Sequence, residues 1–148
     1  MVVAALFLAF LNSSVSFRQI EDEAMGTQHR IDRDIAEYFP NGNVKDPGSA
    51  FSALDSELWD AGRRTTVDIE QWRRSPAADN MSVSEGEKLL LWELMLSHDH
   101  SLDDCFIQMQ IAGDDAARAS WQSLARSDAT SIRIIEDRLA KLGPETGD

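Results

Sequence analysis

Cysteine is nearly absent from this sequence, which has one, Cys105, among 148 residues. A single thiol cannot form an intramolecular disulfide, which argues against a disulfide-stapled secreted domain and favours a reducing compartment. The neighbouring carboxylates of Asp103 and Asp104 oppose thiolate formation. We therefore interpret Cys105 as a small buried apolar residue and not as a nucleophile.

Basic residues are also scarce, with 14 Lys and Arg against 26 Asp and Glu and a formal net charge of -12. Affinity for nucleic acid depends on clustered Lys and Arg side chains that displace counterions from phosphates. The doublet Arg73-Arg74 beside Trp72 is too short for such a footprint, and we interpret it as a solvated helix end. We expect no nucleic acid partner, and the chain length predicts one modest domain.

Motifs for catalysis are missing as well. The sequence has no glycine-rich phosphate loop, no Gly-x-Ser-x-Gly elbow and no paired cysteines at zinc spacing. Ligand-type residues are dense only from His98 to Asp104. On a helix, His98 and His100 point roughly 200° apart, and His100 with Asp104 supplies only two of the three or four ligands that zinc needs. We assign no catalytic, cofactor-binding or metal-binding residue and expect no cofactor.

The doublet His98-Asp99 resembles the metal-binding doublet of the all-helical HD-type phosphohydrolases, with His29 and Asp128 as candidate partners. The small and basic residues that follow the doublet in that family are replaced here by His-Ser-Leu at 100–102. The preferred interpretation is that His98 packs in the core and the carboxylates are solvated. An HD-like metal-dependent phosphohydrolase is the alternative.

A long apolar run occurs only at the start, where residues 1–17 carry no charged side chain and 2–11 are continuously apolar. As a helix, residues 1–17 would extend on the order of 25 Å, slightly less than the hydrocarbon core of a bilayer. We predict a single-pass anchor, because so small a mismatch costs little. A signal peptide cleaved near Ser14-Val15-Ser16 is disfavoured by the lack of a preceding Lys or Arg, and a buried core segment is the third possibility.

The orientation of such an anchor follows from the basic residues beside it. None precedes the apolar run, whereas Arg18, Arg30 and Arg33 follow it. Loops rich in Lys and Arg stay on the cytoplasmic side. We expect an inner-membrane protein with a cytoplasmic C-terminal domain.

Helical periodicity covers the rest of the chain, because apolar residues recur at three- and four-residue spacing. We predict an all-α fold, a small bundle of about five helices at 18–143 with a tail at 144–148. A long N-terminal helix begins as the apolar anchor and stops near Pro40. Another runs from a cap at Ser49 to Gly62, followed by a shorter one with Trp72, for which a strand starting at Thr65 is the alternative.

The second half contains the clearest signal, a capping box of Ser82 with Glu85, or of Ser84 with Glu87, before a long apolar stretch that ends at Gly113. We predict the central helix here. Its first half is apolar nearly all round, which implies neighbours on several sides. A further helix starts at Asp114 or Asp115 with Trp121 and Leu124 inward, and a last one runs from Ser127 to Gly143. The four tryptophans are expected to supply the core.

The order of these features resembles that of small bacterial single-pass membrane-anchored helical proteins of unknown function. The matching pieces are Leu6 to Phe10, the helix start at Ser84-Glu85, the turn at 106–109, Gly113 and Trp121. The resemblance implies an anchor followed by a helical region, and it implies no activity.

Taken together, these patterns predict a membrane-anchored acidic helical interaction or scaffolding module. Its partners would be another protein or a second copy of itself, and the membrane through residues 1–17. Two alternatives stay open, the HD-like phosphohydrolase and a secreted helical protein with a cleaved signal peptide.

Overall fold

The computed structural model describes residues 15–39 and 56–143, and every regular element in these ranges is helical. The α-helices are α1 (Phe17–Tyr38), α2 (Ser56–Arg73), α3 (Val83–Ile111) and α4 (Asp115–Leu142). A 3₁₀ turn at Pro76–Asn80 joins α2 to α3. The all-α prediction is confirmed for this part of the chain. The predicted count of about five helices is not, because the two ranges contain four.

The first helix begins at Phe17 because Ser16 caps it. The Ser16 hydroxyl accepts a hydrogen bond from the Gln19 amide at 3.2 Å, and the Gln19 side chain accepts one from the Ser16 amide at 2.8 Å. Ser16 has an extended backbone, with φ -83° and ψ 156°. A capping box of this kind marks the start of a helix. The predicted continuity of α1 with a helix in the apolar segment is therefore not confirmed.

The apolar residues 1–14, on which the anchor prediction rests, lie outside the described residues, as do 40–55 and 144–148. Among the helices that the structure describes, none combines the length and the apolar character that crossing a bilayer requires. Val15, just before the cap, packs against the core, and Phe17 is buried in it.

The second helix runs without interruption through Gly62. The predicted stop at Gly62 and the separate helix after it are wrong, because Ala61, Thr65 and Ile69 form one buried stripe across this position. Burial of that stripe outweighs the cost of about 1 kcal/mol for one glycine in a helix. The strand alternative is also wrong, since the Thr65 hydroxyl donates to the Ala61 carbonyl at 2.9 Å, one helical turn back. The expected cap Ser49 lies outside the described residues.

The third helix has the predicted start. The Ser82 hydroxyl accepts from the Glu85 amide, and the Glu85 carboxylate accepts from the Ser82 amide, both at 3.1 Å. One face is buried along the whole length of α3, with Leu89, Trp92, Met95, Leu102, Cys105, Phe106 and Met109. In its first half, which was predicted to have neighbours on several sides, Leu89, Trp92 and Met95 are buried, whereas Leu90 and Leu94 are half exposed.

The fourth helix is capped by Asp114, whose carboxylate accepts from the Ala117 amide at 2.7 Å. The predicted division into two helices at Ser127 is wrong, because the buried stripe of Ala125, Ala129, Ile132 and Ile135 continues past it. Leu124 was expected to point inward and is instead 44% exposed. Gly143 ends α4 with a positive φ of 68°, which glycine adopts without strain.

Pairs of contacting residues define the directions of the helices. Glu21 pairs with Lys88 and Phe39 stacks on Phe106, so α1 and α3 run parallel. Arg138 pairs with Glu87 and Asp128 with His98, so α4 runs antiparallel to α3. Thr27 on α1 hydrogen-bonds to Thr65 on α2 at 3.2 Å. With α2 antiparallel to α1, the described helices form an up-down-up-down bundle, in which α3 packs most closely on α4 and α1 on α2.

Aromatic rings join the two helix pairs. The Phe17 ring lies 5.7 Å from both the Trp72 and the Trp92 rings, and Phe39 lies 5.7 Å from Phe106 at the other end of α1. Trp72 and Trp92 are buried, and Trp121 packs against the core from its edge. Trp59 has no described side chain. The expectation that tryptophans supply the core is met at these three positions.

Adjacent leucines on α3 test whether this core carries the stability. Leu89 is fully buried, whereas Leu90 is 57% exposed. We expect Leu89→Ala to lower the free energy of unfolding by about 2–5 kcal/mol, because it leaves a cavity among packed helices. The matched variant Leu90→Ala should cost less than about 1 kcal/mol. Urea denaturation followed by circular dichroism measures both, and equal losses would contradict the assignment of the core.

Candidate functional site

A buried carboxylate links α3 to α4. Asp128, on α4, is 5% exposed, and its two oxygens receive hydrogen bonds from three residues of α3. His98 Nδ1 lies 3.0 Å from Oδ1, the Ser101 hydroxyl donates to Oδ2 at 2.6 Å, and the Cys105 thiol lies 3.9 Å from the same oxygen. Positions 98, 101 and 105 share one face of a helix, which explains why they converge. Donors on both oxygens compensate the burial of this group.

The Cys105 thiol in this cluster is not a nucleophile. Burial, together with the smaller effect of the nearby Asp128 carboxylate, raises its pKa to about 11. Thiolate is the reactive form, and almost none is present at neutral pH. Cys105 is buried and free, as expected from its sequence context. The cluster of His98, Ser101, Cys105 and Asp128 therefore has a structural role, in which hydrogen bonds join α3 to α4.

The four residues considered for an HD-type site do not meet. His98 and Asp128 are hydrogen-bonded, but Asp99 lies on another side of α3, and His29 is exposed on α1. Within residues 15–39 and 56–143, no three His, Cys, Asp or Glu side chains are placed to hold a metal ion. His98 lies at the α3–α4 contact with 34% of its side chain exposed, and is therefore less buried than the preferred interpretation, packing in the core, had it.

A groove between α2 and α3 has a volume of about 560 Å³. Gly62, Val67 and Leu96 give it an apolar floor. A Cβ atom on Gly62 would lie 3.4 Å from the Leu96 side chain, so the helices approach closely at that point. Its charged and titratable lining consists of Arg63, Glu70, Glu93, Asp99, His100 and Asp103.

The groove is acidic because four of those six side chains are carboxyls and one is a guanidinium. Glu93 is also paired with Arg73 at the edge, where one nitrogen–oxygen distance is 2.9 Å. Carboxyls around an apolar floor favour a positively charged ligand with an apolar portion.

Asp99 differs from the other carboxyls of the groove in being only 7% exposed. Burial, together with the smaller effect of the charges of Asp103 and Asp34, raises its pKa to about 8. At neutral pH its carboxyl therefore holds a proton. No hydrogen bond or ion pair joins it to another residue that the structure describes.

Two further carboxyl pairs lie where α1 meets its neighbours. Burial and a hydrogen bond to Asp68 on α2 raise the pKa of Glu23 to about 7. Burial and a hydrogen bond to Asp32 on α1 raise the pKa of Glu136, on α4, to about 8. Two carboxylates cannot hydrogen-bond unless one of them keeps a proton. All three contacts made by α1 with its neighbours therefore include a carboxyl that is protonated near neutral pH.

The sequence pointed to Asp99 only as part of the His98-Asp99 doublet and did not point to Asp34, and the preferred interpretation was that the carboxylates are solvated. A signal was present, since Asp99 follows buried Met95 by four residues and precedes buried Leu102 by three. Asp34 likewise stands three residues after buried Ile31. A carboxyl on the apolar face of a helix is costly without a partner, and this marks it as a candidate for function.

Comparison with known proteins adds no family to this description. No family model matches the chain, and no curated protein or solved structure is detectably similar to it.

The raised pKa of Asp99 predicts how stability depends on pH. Between its ordinary value of 3.8 and its folded value of about 8, the unfolded chain loses a proton that the folded chain keeps. The stability that Asp99 contributes is complete below pH 4 and is lost as the pH rises through about 8. We expect the free energy of unfolding to fall by on the order of 1–3 kcal/mol from pH 5 to pH 8.5.

Asp99→Asn should reduce this loss and make the protein more stable than the wild type at pH 8.5. Asp104→Asn, an exposed position on the same helix, changes the net charge equally and should leave the pH dependence as it is. Urea titrations of the three proteins at both pH values test this. Parallel pH profiles for Asp99→Asn and the wild type would show that Asp99 has an ordinary pKa.

Proposed function

We propose that this chain is a membrane-anchored helical interaction module that binds a basic segment of another protein in the groove between α2 and α3. The observation that carries the proposal is the acidic lining of this groove around an apolar floor. The most enzyme-like cluster in the described residues, around Asp128, consists of a satisfied carboxylate and an inert thiol. Binding of a basic segment accounts for the carboxyls and the apolar surface of the groove.

Charge supports a basic protein partner over self-association. The chain has a formal net charge of -12, so two copies repel each other, whereas a basic segment is drawn towards the acidic surface. Lys and Arg side chains can lay their methylene stems along Val67 and Leu96 while their charged ends reach the carboxyls at the walls.

The proposed anchor is the apolar segment at residues 1–17, with the bundle on the cytoplasmic side of the inner membrane. Cleavage of a signal peptide near Ser14-Val15-Ser16 would remove or expose residues that the bundle uses. Val15 packs against the core, and Ser16 provides the cap of α1. Loss of a helix cap costs about 1 kcal/mol, so the bundle should be more stable with the segment intact than after cleavage.

Membrane fractionation tests the anchor. The full-length protein expressed in a bacterial host should sediment with membranes, resist extraction by high salt or alkaline carbonate, and dissolve in detergent. Leu8→Arg should release much of it, because an arginine at the centre of a span costs about 3 kcal/mol on insertion scales. Leu90→Arg, on an exposed part of α3, is the control and should stay with the membrane. Recovery of the wild type in the soluble fraction would refute the anchor.

Binding of a short polylysine peptide to the full-length protein in detergent tests the interaction function. We expect salt-sensitive binding that weakens roughly three- to tenfold in Glu70→Lys, which reverses one charge of the groove. Asp137→Lys changes the net charge equally on exposed α4 and should keep the affinity within about twofold. Equal weakening by both variants would show attraction to overall charge and not to this groove, and fluorescence anisotropy of a labelled peptide measures it.

A further inference from the structure

Asp99 has an unusual position in the groove. Its side chain is more than nine-tenths buried, yet it lines the cavity between α2 and α3, so it faces the space that a ligand would occupy. Among the described residues it has no hydrogen-bond or ion-pair partner. Asp128, at the contact of α3 with α4, shows the contrast, since three donors surround it. A buried carboxyl without such donors is costly.

The charged groups that face Asp99 do not supply a compensating cation at its carboxyl. Asp34 from α1 and Asp103 from α3 act on it as negative charges. Arg33 lies 3.7 Å from Asp34 but is itself mostly exposed. From α2, Arg63 and Glu70 line the same groove, and neither forms an ion pair with Asp99. His100 and Glu93 complete the lining on α3. The surroundings of Asp99 therefore favour a positive charge brought in by a ligand.

We propose that Asp99 is the recognition point for a primary alkylammonium group that enters the groove between α2 and α3. This inference rests on the proposed function, since it names the chemical group that the same groove selects. The ammonium is supplied by a lysine side chain of a protein segment or by a free polyamine, and the two sources share the same chemistry at Asp99.

An ammonium group fits this place better than a metal ion. The described residues do not gather three ligand side chains of the kind that a metal requires. An ammonium ion on an alkyl stem needs only hydrogen-bond acceptors at its head, and its methylene groups can cover Val67 and Leu96. The groove provides both the buried carboxyl and the apolar wall.

When the ammonium group binds, it replaces the proton on the Asp99 carboxyl. The Asp99 carboxyl, protonated at neutral pH because its pKa is about 8, becomes a carboxylate paired with the ammonium, and its proton passes to the solvent. The ligand keeps all its protons, since the pKa of an alkylammonium is above 10. Binding is therefore coupled to the release of a proton, which an exposed carboxylate would not show.

Isothermal titration calorimetry of the full-length protein in detergent measures this proton directly, through the dependence of the heat on the ionisation enthalpy of the buffer. The probes are a short polylysine peptide, spermidine and the same peptide with acetylated side chains. We expect polylysine, spermidine or both to release close to one proton at pH 7 and almost none at pH 9, where Asp99 is already ionised. The acetylated peptide should not bind.

Asp99→Asn should weaken binding of the ammonium ligand at least tenfold and abolish proton release, whereas Asp104→Asn should bind like the wild type. Circular dichroism establishes that each variant is folded, and the proton count on the wild type does not depend on any variant.

The outcomes separate the two proposals. If neither polylysine nor spermidine binds the wild type, both are overturned. If polylysine binds without proton release at pH 7 and with unchanged affinity in Asp99→Asn, the interaction function stands and the role of Asp99 is overturned. If only spermidine binds, with proton release that needs Asp99, the ammonium site stands and the protein partner is overturned.

Discussion

One buried face of α3 holds the bundle together, and it also sets the geometry of the groove. Aromatic contacts fasten α1 to this face at both ends, with Phe17 against Trp92 and Phe39 against Phe106. Apolar burial at these two points fixes the positions of the α1 residues that lie between them. Asp34 is in that interval, so the core brings it near Asp99 although the two carboxyls repel each other. The unfavourable contact exists because packing elsewhere on the same helices is strong enough to impose it.

The excess of acidic over basic residues explains why such contacts recur. With 26 Asp and Glu against 14 Lys and Arg, many carboxyls at helix borders have no cation available. A buried pair such as Lys88 with Glu21, at 3.1 Å, is one solution. The pairs of Glu23 with Asp68 and of Glu136 with Asp32 show the other, in which one carboxyl keeps a proton and donates it. This second arrangement makes the packing of α1 sensitive to pH in the neutral range. The α3–α4 contact differs, because Asp128 accepts hydrogen bonds from side chains of α3, such as the Ser101 hydroxyl.

Local sequence rules predicted where helices start and stop when both partners of a cap are close in the chain. Ser82 with Glu85, Asp114 and Gly143 act as their types and spacing indicated. The same rules failed at Gly62 and Ser127, which resemble helix ends but lie inside α2 and α4. At both places the buried stripe continues past the residue, and tertiary packing outweighs a preference of about 1 kcal/mol. No local pattern reports how far a neighbouring helix extends.

The doublet His98-Asp99 shows why the candidate site was harder to predict than the fold. Neighbouring residues on a helix point about 100° apart. His98 consequently serves the contact with α4, where it meets Asp128, while Asp99 turns towards α1 and the groove beside α2. The two side chains of the doublet therefore face different neighbours in this bundle and do not converge on one site. The sequence did show that Asp99 continues the helical spacing of the buried apolar residues, between Met95 and Leu102. Such a residue breaks the pattern that stabilises the helix, and natural proteins break this pattern mainly at functional or strained sites.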